Sequence, residues 1–157
     1  MNPLRPLARR LGRARWFARA GRWMVPVDAA LQRRTNGRVG LLVAAGIDGL
    51  LLTTTGRRSG APRSVPLLAV RVPDGYVIAG SNWGGPHHPA WSANLLANPS
   101  ATVTLDGRTE RVIARLAAGD ERDRLWRLLT TTWPAYDNYA DRAGRDIRVF
   151  LLTPAAD

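Results

Sequence analysis

The sequence has no cysteine and no lysine, and its two histidines stand side by side as His87 and His88. Without cysteine there is no disulfide framework and no thiolate metal site, which fits a reducing cytoplasm. Adjacent side chains diverge and no third ligand stands at zinc spacing, so no metal is expected. A GxSxG elbow, a Walker loop and a GxGxxG after a strand are all missing. The acids are scattered, several of them in the first turn of a helix, so nothing points to a carboxylate-pair hydrolase. No apolar run approaches the roughly 20 residues that span a bilayer. The longest, GLLVAAGIDGLLL, is broken by Gly46 and Asp48. The N-terminus shows neither the apolar core nor the small-residue cleavage site of a secretory signal. Every basic residue is arginine, which we read as the codon bias of a GC-rich genome.

What is present is a chain of 157 residues, 45% hydrophobic and 22% charged, enough for one globular domain with a real core. The formal charge of +11 at first looks like nucleic-acid binding, but its placement argues otherwise. Residues 1 to 40 hold ten arginines and one acid, Asp28, whereas the other 117 residues are nearly balanced. The division expected is a basic amphipathic arm, 1–38, and a body, 39–157. In the arm, Leu4, Leu7, Ala8, Leu11 and Ala14 share one helical face and Arg5, Arg9, Arg10 and Arg13 the other. Trp16, Phe17, Trp23 and Met24 follow. That composition suits a membrane interface, and also an arm packed on its own domain or on a partner subunit with its arginines solvated.

A second short helix is expected over 27–35, stopped by Asn36-Gly37. Strands are expected at 40–45, 49–55, 62–72, 76–81, 101–105, 108–116 and 147–153, with Asp106-Gly107 as a two-residue hairpin turn. Helices are expected over 88–99 and 119–133. The class is α+β: a small barrel with helices at its edge.

Three stretches carry the candidate chemistry. TTTGRRSGAPR, 53–63, surrounds two glycines with three arginines, an anion cradle or a solvated hairpin tip. GSNWGGPHHPAW, 80–91, brings glycines and a helix N-terminus together, where backbone N–H groups can meet a phosphate or carbonyl. WPAYDNYADRAGRD, 133–146, repeats aromatics at Trp133, Tyr136 and Tyr139, a core-facing stripe or, given the polar neighbours Asp137, Asn138, Asp141 and Arg142, a partly exposed turn at a pocket mouth. The two glycine-bearing loops would suit a long, planar, anionic ligand, with arginines for its acid groups and backbone amides for its ring.

In order and spacing these stretches resemble the deazaflavin-dependent nitroreductases, also described as quinone reductases that use reduced coenzyme F420. The resemblance covers about residues 35 to 154. It implies a split β-barrel related to flavin mononucleotide-binding oxidoreductases. The implied cofactor is coenzyme F420, with a phosphate and a polyglutamate tail. It places Arg57, Arg58 and Ser59 at the tail and phosphate end. Arg63, Ser64, Val65, Pro66, Leu67 and Leu68 would line the cofactor, with Arg63 charge-pairing and the Val65-Pro66 backbone against the ring. Ala79, Gly80, Ser81 and Asn82 would contact the deazaflavin. Ala90, Trp91, Ser92, Ala93 and Asn94 would meet phosphate or ribityl oxygens. Tyr136 and Tyr139 would close the substrate side, with Tyr136 also against the cofactor, and Tyr136, Ser81 and Tyr139 are the catalytic candidates. Family members often carry Lys where Arg58 and Asn82 stand, and Tyr is expected where Trp133 stands.

The implied reaction is hydride transfer to a quinone or nitroaromatic acceptor, in the cytoplasm, with the arm at the inner face of the cell membrane as a peripheral site. Small barrels of this kind often pair, so a homodimer is among the expected partners, and nucleic acid is not. A flavin mononucleotide enzyme, a non-catalytic deazaflavin carrier and a basic membrane- or nucleic-acid-associated protein stay open as alternatives.

Overall fold

The computed structural model describes residues 4–156. Two helices, α1 (Leu4–Leu11) and α2 (Arg15–Thr35), precede a single turn of helix, α3 (Leu41–Ala44). Four strands follow: β1 (Gly49–Thr55), β2 (Pro62–Leu68), β3 (Val70–Val72) and β4 (Gly75–Ala79). A 3-10 turn (Asn82–Gly84) leads to α4 (Ala90–Ala97), then to the hairpin of β5 (Ser100–Leu105) and β6 (Arg108–Leu116). Helices α5 (Gly119–Thr132) and α6 (Ala135–Ala143) and strand β7 (Val149–Pro154) complete the chain.

All strand pairs are antiparallel, in the order β2-β1-β5-β6-β7-β4-β3. The two strands at the ends of that order are consecutive pieces of chain, separated only by Ala69. One bent segment therefore pairs with β1 through its first half and with β4 through its second, and the sheet curls into the expected split barrel. Ala69 donates to the Asp48 carbonyl at the bend. Pro62 and Pro66 fall on β2, at one end of the order, where a missing N–H leaves no ladder partner unsatisfied.

Alternation along the strands divides the core in two. Leu50 and Leu52 of β1, Ile78 of β4, and Phe150 and Leu152 of β7 point into the barrel with Trp91 and Val103. Val77, Ala79, Val149 and Leu151 point to the other face, where Leu125 and Leu129 of α5 and Tyr136 and Tyr139 of α6 cover them. The β5–β6 hairpin has the expected turn, with Asp106 and Gly107 at φ of 51° and 80° and Leu105 paired with Arg108.

Three expectations change. The helix placed at 27–35 begins at Arg15 and runs through Pro26. An interior proline costs about 3 kcal/mol, and tertiary docking of the first half, with Ala18 buried and Phe17 against Trp83, offsets it. The helix does stop at Asn36, in the left-handed region at φ 49°. Residues 40–45 form α3 and not a strand. Its Leu41 N–H is capped at 2.8 Å by the buried carboxylate of Asp28, thirteen residues upstream. The strand placed at 62–72 is broken at Ala69 by the bend that closes the barrel. Among the described residues no helix is long and apolar enough to cross a membrane.

Candidate functional site

The turn between β1 and β2 is closed by its own backbone: Gly56 N–H donates to Ala61 O at 2.8 Å and Gly60 N–H to Gly56 O at 2.7 Å. Its side chains Arg57, Arg58 and Ser59, with Arg63 at the start of β2, are exposed. Among the described residues none of the three arginines has an acidic partner. Asn94 of α4 anchors the turn. Its Oδ1 accepts from the Arg57 N–H (3.2 Å) and Nη1 (3.4 Å), while its Nδ2 donates to Thr54 Oγ1 at 3.0 Å. Asn94 is buried, so its amide is a fixed post for the turn. Ser64 meets Thr53, oxygen to oxygen, at 2.8 Å.

Along the same strand the chemistry changes. Val65, Pro66, Leu67 and Leu68 line a cavity of about 630 Å³ that is mostly apolar. Its other walls are Ala79, Ser81, Asn82 and Trp83, then Pro89 and Trp91, and the α5–α6 face of Trp133, Tyr136 and Tyr139. Tyr136 is buried, and among the described residues its hydroxyl has no hydrogen-bond partner. Burial, and then the neighbouring Tyr139, push the Tyr136 pKa well above the usual phenol value. Tyr139 is raised too, mainly by burial, and its hydroxyl donates to the Gly12 carbonyl at 2.9 Å.

The loop between β4 and α4 sits at the cavity's edge in an uncommon conformation. Asn82 and Trp83 both have positive φ, 46° and 56°, each costing on the order of 1–2 kcal/mol for a non-glycine residue. Trp83 packs edge-on between Phe17 of the arm and Tyr139, with ring centroids 6.2 Å from each. The loop ends at α4, whose first turn has no side-chain cap and so leaves N–H groups open to an anion. Ser92 in that turn is fully buried and accepts from Arg148 at 3.1 Å. His88, although exposed, has a pKa lowered by partial desolvation and then by Arg148 and Arg145. The ring is therefore kept neutral to lower pH than a free histidine.

The arm completes the cavity. Leu4, Leu7, Ala8 and Leu11, the face that suited a membrane interface, line it, as do Phe17, Met24 and Val25 of α2. Two glycines make the fit. A Cβ on Gly12 would lie 2.2 Å from the Trp133 ring, and one on Gly21 would lie 2.5 Å from the Trp83 ring. Arg9 donates to the Thr131 carbonyl and Arg142 to the Arg13 carbonyl, tying the arm to α5 and α6. Gly12→Ala is therefore expected to lift α1 off Trp133. It should cost about 1–3 kcal/mol of stability, as read by denaturant titration.

The structure thus gathers Val65 to Leu68, Ala79, Ser81, Asn82, Trp91, Tyr136 and Tyr139 around one cavity, with Gly80 buried in the strand-to-loop junction. Arg57, Arg58, Ser59, Arg63 and Ser64 stand at the strand's other end, outside the cavity lining. Ala90 is exposed and Ala93 half-buried on α4, while Ser92 and Asn94 are occupied by internal bonds. Sequence reasoning passed over Asp28 and Trp83 as cavity walls and Arg145 and Arg148 beside the loop. Only the glycines around Trp83 marked that stretch; nothing local marked the others.

Unneutralised arginines at one end of β2 and an apolar slot at the other fit a planar ring with an anionic tail. Comparison with known proteins gives the same chemistry a name. An F420H(2)-dependent quinone reductase of Mycobacterium tuberculosis (strain H37Rv) is 34% identical over 144 residues, covering 89% of this chain and 97% of the relative. A solved F420-H2 dependent reductase, FDR-A, superposes with a TM-score of 0.62 at 36% identity, covering 66% of this chain and 92% of that one. A structure described as a domain-swapped dimer gives 0.64 at 32% identity, covering 81% and 98%. Residues 24–154 match the family model described as F420H(2)-dependent quinone reductase. The chain belongs to that family: it is an F420-dependent oxidoreductase on a flavin mononucleotide-binding-like split barrel, with coenzyme F420 as its cofactor.

Proposed function

We propose that the protein transfers hydride from reduced coenzyme F420 to a flat, apolar quinone bound in the cavity beneath the arm. The observation that carries this is strand β2, cationic at Arg63 and apolar from Val65 to Leu68. Arg57, Arg58 and Arg63 hold the anionic tail and phosphate, together with the open N–H groups at the start of α4. The Val65-Pro66 edge and the Ala79–Asn82 backbone hold the ring. When bound, the reduced cofactor supplies two electrons and one proton as hydride.

A quinone that receives hydride becomes an anion, and the one further proton that makes it a quinol comes from solvent as the product leaves the cavity. The Tyr136 hydroxyl, unpartnered and kept protonated by burial, donates a hydrogen bond to the oxygen on which that charge develops. Ser81, half-buried on the cavity wall, is the second donor. Tyr139, held by Gly12, is wall and arm anchor. Trp83, Trp133 and the arm exclude water. Nitroaromatics are the other flat electrophiles the slot admits.

The acceptor assignment is tested by steady-state turnover of reduced F420 with a naphthoquinone and with a nitroaromatic of similar size. The naphthoquinone is expected to give the higher kcat/KM, since its two flanking carbonyls meet both donors. A preference for the nitroaromatic of more than tenfold would reverse the assignment.

A further inference from the structure

We propose that Arg145 is a positioning residue for hydride transfer, acting through the 80–88 loop. This rests on the placement of the cofactor ring against Ala79–Asn82. The guanidinium clamps both stems of the loop. One Nη donates to Gly80 O (3.3 Å) and Ser81 O (3.3 Å) at the loop's start and to His87 O (3.0 Å) at its end. The other Nη lies 3.1 Å from His88 Nδ1 and 3.4 Å from Asp146 O. Nε is buried without a partner. No carboxylate balances the charge among the described residues, so carbonyl oxygens are what hold it there.

Between those stems lie two of the four non-glycine residues with positive φ among the described residues, Asn82 and Trp83. A loop left to itself relaxes such angles. The packing of Trp83 between Phe17 and Tyr139 and the backbone bonds from Gly84 to Ser81 and from Gly85 to Asn82 hold the turn itself, while the Arg145 fork and the Asn82 Nδ2 bond to the same His87 carbonyl at 3.0 Å hold its two stems together. The fork therefore fixes Ser81 and Trp83 together, one a donor on the cavity wall and the other a wall of the slot. A lysine ammonium has one nitrogen with which to meet the three carbonyls, and none left for His88 Nδ1 and the Asp146 carbonyl, which the second Nη of the guanidinium holds at the same time. Shape, and not charge, is what Arg145 contributes.

The test compares Arg145→Met and Arg145→Lys with the parent protein, reading kcat with a naphthoquinone at saturating reduced F420 and, separately, the Kd for oxidised F420. Both variants are expected to lose about tenfold or more in kcat, as a misplaced donor does, while Kd changes less than about threefold because the arginine turn is intact. Arg145→Ala should recover turnover on adding guanidinium ion and not on adding methylammonium at the same concentration. Should Arg145→Met fail to fold, Arg145→Lys carries the comparison. Turnover within twofold of the parent in Arg145→Lys, or equal rescue by methylammonium, overturns the proposal while leaving the reductase reading intact. A parent protein that does not oxidise reduced F420 removes that reading, and this proposal with it.

Discussion

Replacing Arg57 and Arg58 together by alanine is expected to weaken F420 binding about hundredfold, with turnover at saturating cofactor changed less than about threefold. Two charge-assisted contacts of about 1.5 kcal/mol each give that factor. The Arg57 backbone stays pinned to Asn94 in the variant, so the turn keeps its path and the loss is one of charge. The charges stand at the opposite end of β2 from the cavity, so they contribute equally to ground and transition states. Because the side chains are exposed, added salt should weaken binding to the parent protein and narrow the gap between the two. Titration at two ionic strengths, beside single-turnover kinetics, checks this. A fall in the single-turnover rate with Kd intact would show that the turn acts on the reacting ring.

Tyr136→Phe is expected to do the opposite, lowering kcat about hundredfold as the loss of one oxyanion donor does, with F420 affinity unchanged. The hydroxyl has no partner among the described residues to leave behind, so its removal orphans nothing and stability should hold. Its raised pKa adds a sign to the pH dependence. The folded protein favours the neutral phenol, so this contribution to stability is complete below the ordinary phenol value of 10.0 and is lost as pH rises through the higher folded value. Turnover should accordingly show no inflection from Tyr136 below pH about 10. An inflection near neutrality that persists in the phenylalanine variant would assign it to another group.

The parts legible in the sequence are those whose cause is local. Asp106-Gly107 fixes its hairpin because two positive φ angles in succession suit few residue pairs. Asn36-Gly37 stops α2 for the same kind of reason. Alternation drew the strands, and the glycines of 53–63 marked the turn between β1 and β2. What escaped has distant causes. GLLVAA is helical because Asp28, on another helix, caps it; an apolar run of that length does not distinguish helix from strand. The composition of α1 fits a membrane surface and its own domain alike; what decides for the domain is Gly12 fitting Trp133, a contact across 121 residues of chain. Arg145 follows an ordinary helix-ending glycine, and its carbonyl partners Gly80, Ser81 and His87 lie more than fifty residues upstream. Periodicity finds faces and turn residues find corners, but neither finds a side chain that reaches across the fold.

The most direct test of the account is to titrate the purified protein in parallel with oxidised coenzyme F420 and flavin mononucleotide by tryptophan quenching, then supply reduced F420 and a naphthoquinone and follow both. The account predicts binding of F420 in preference to flavin mononucleotide, and one quinol formed for each cofactor oxidised. Preferential binding of flavin mononucleotide, or F420 binding with no quinol formed, would contradict it.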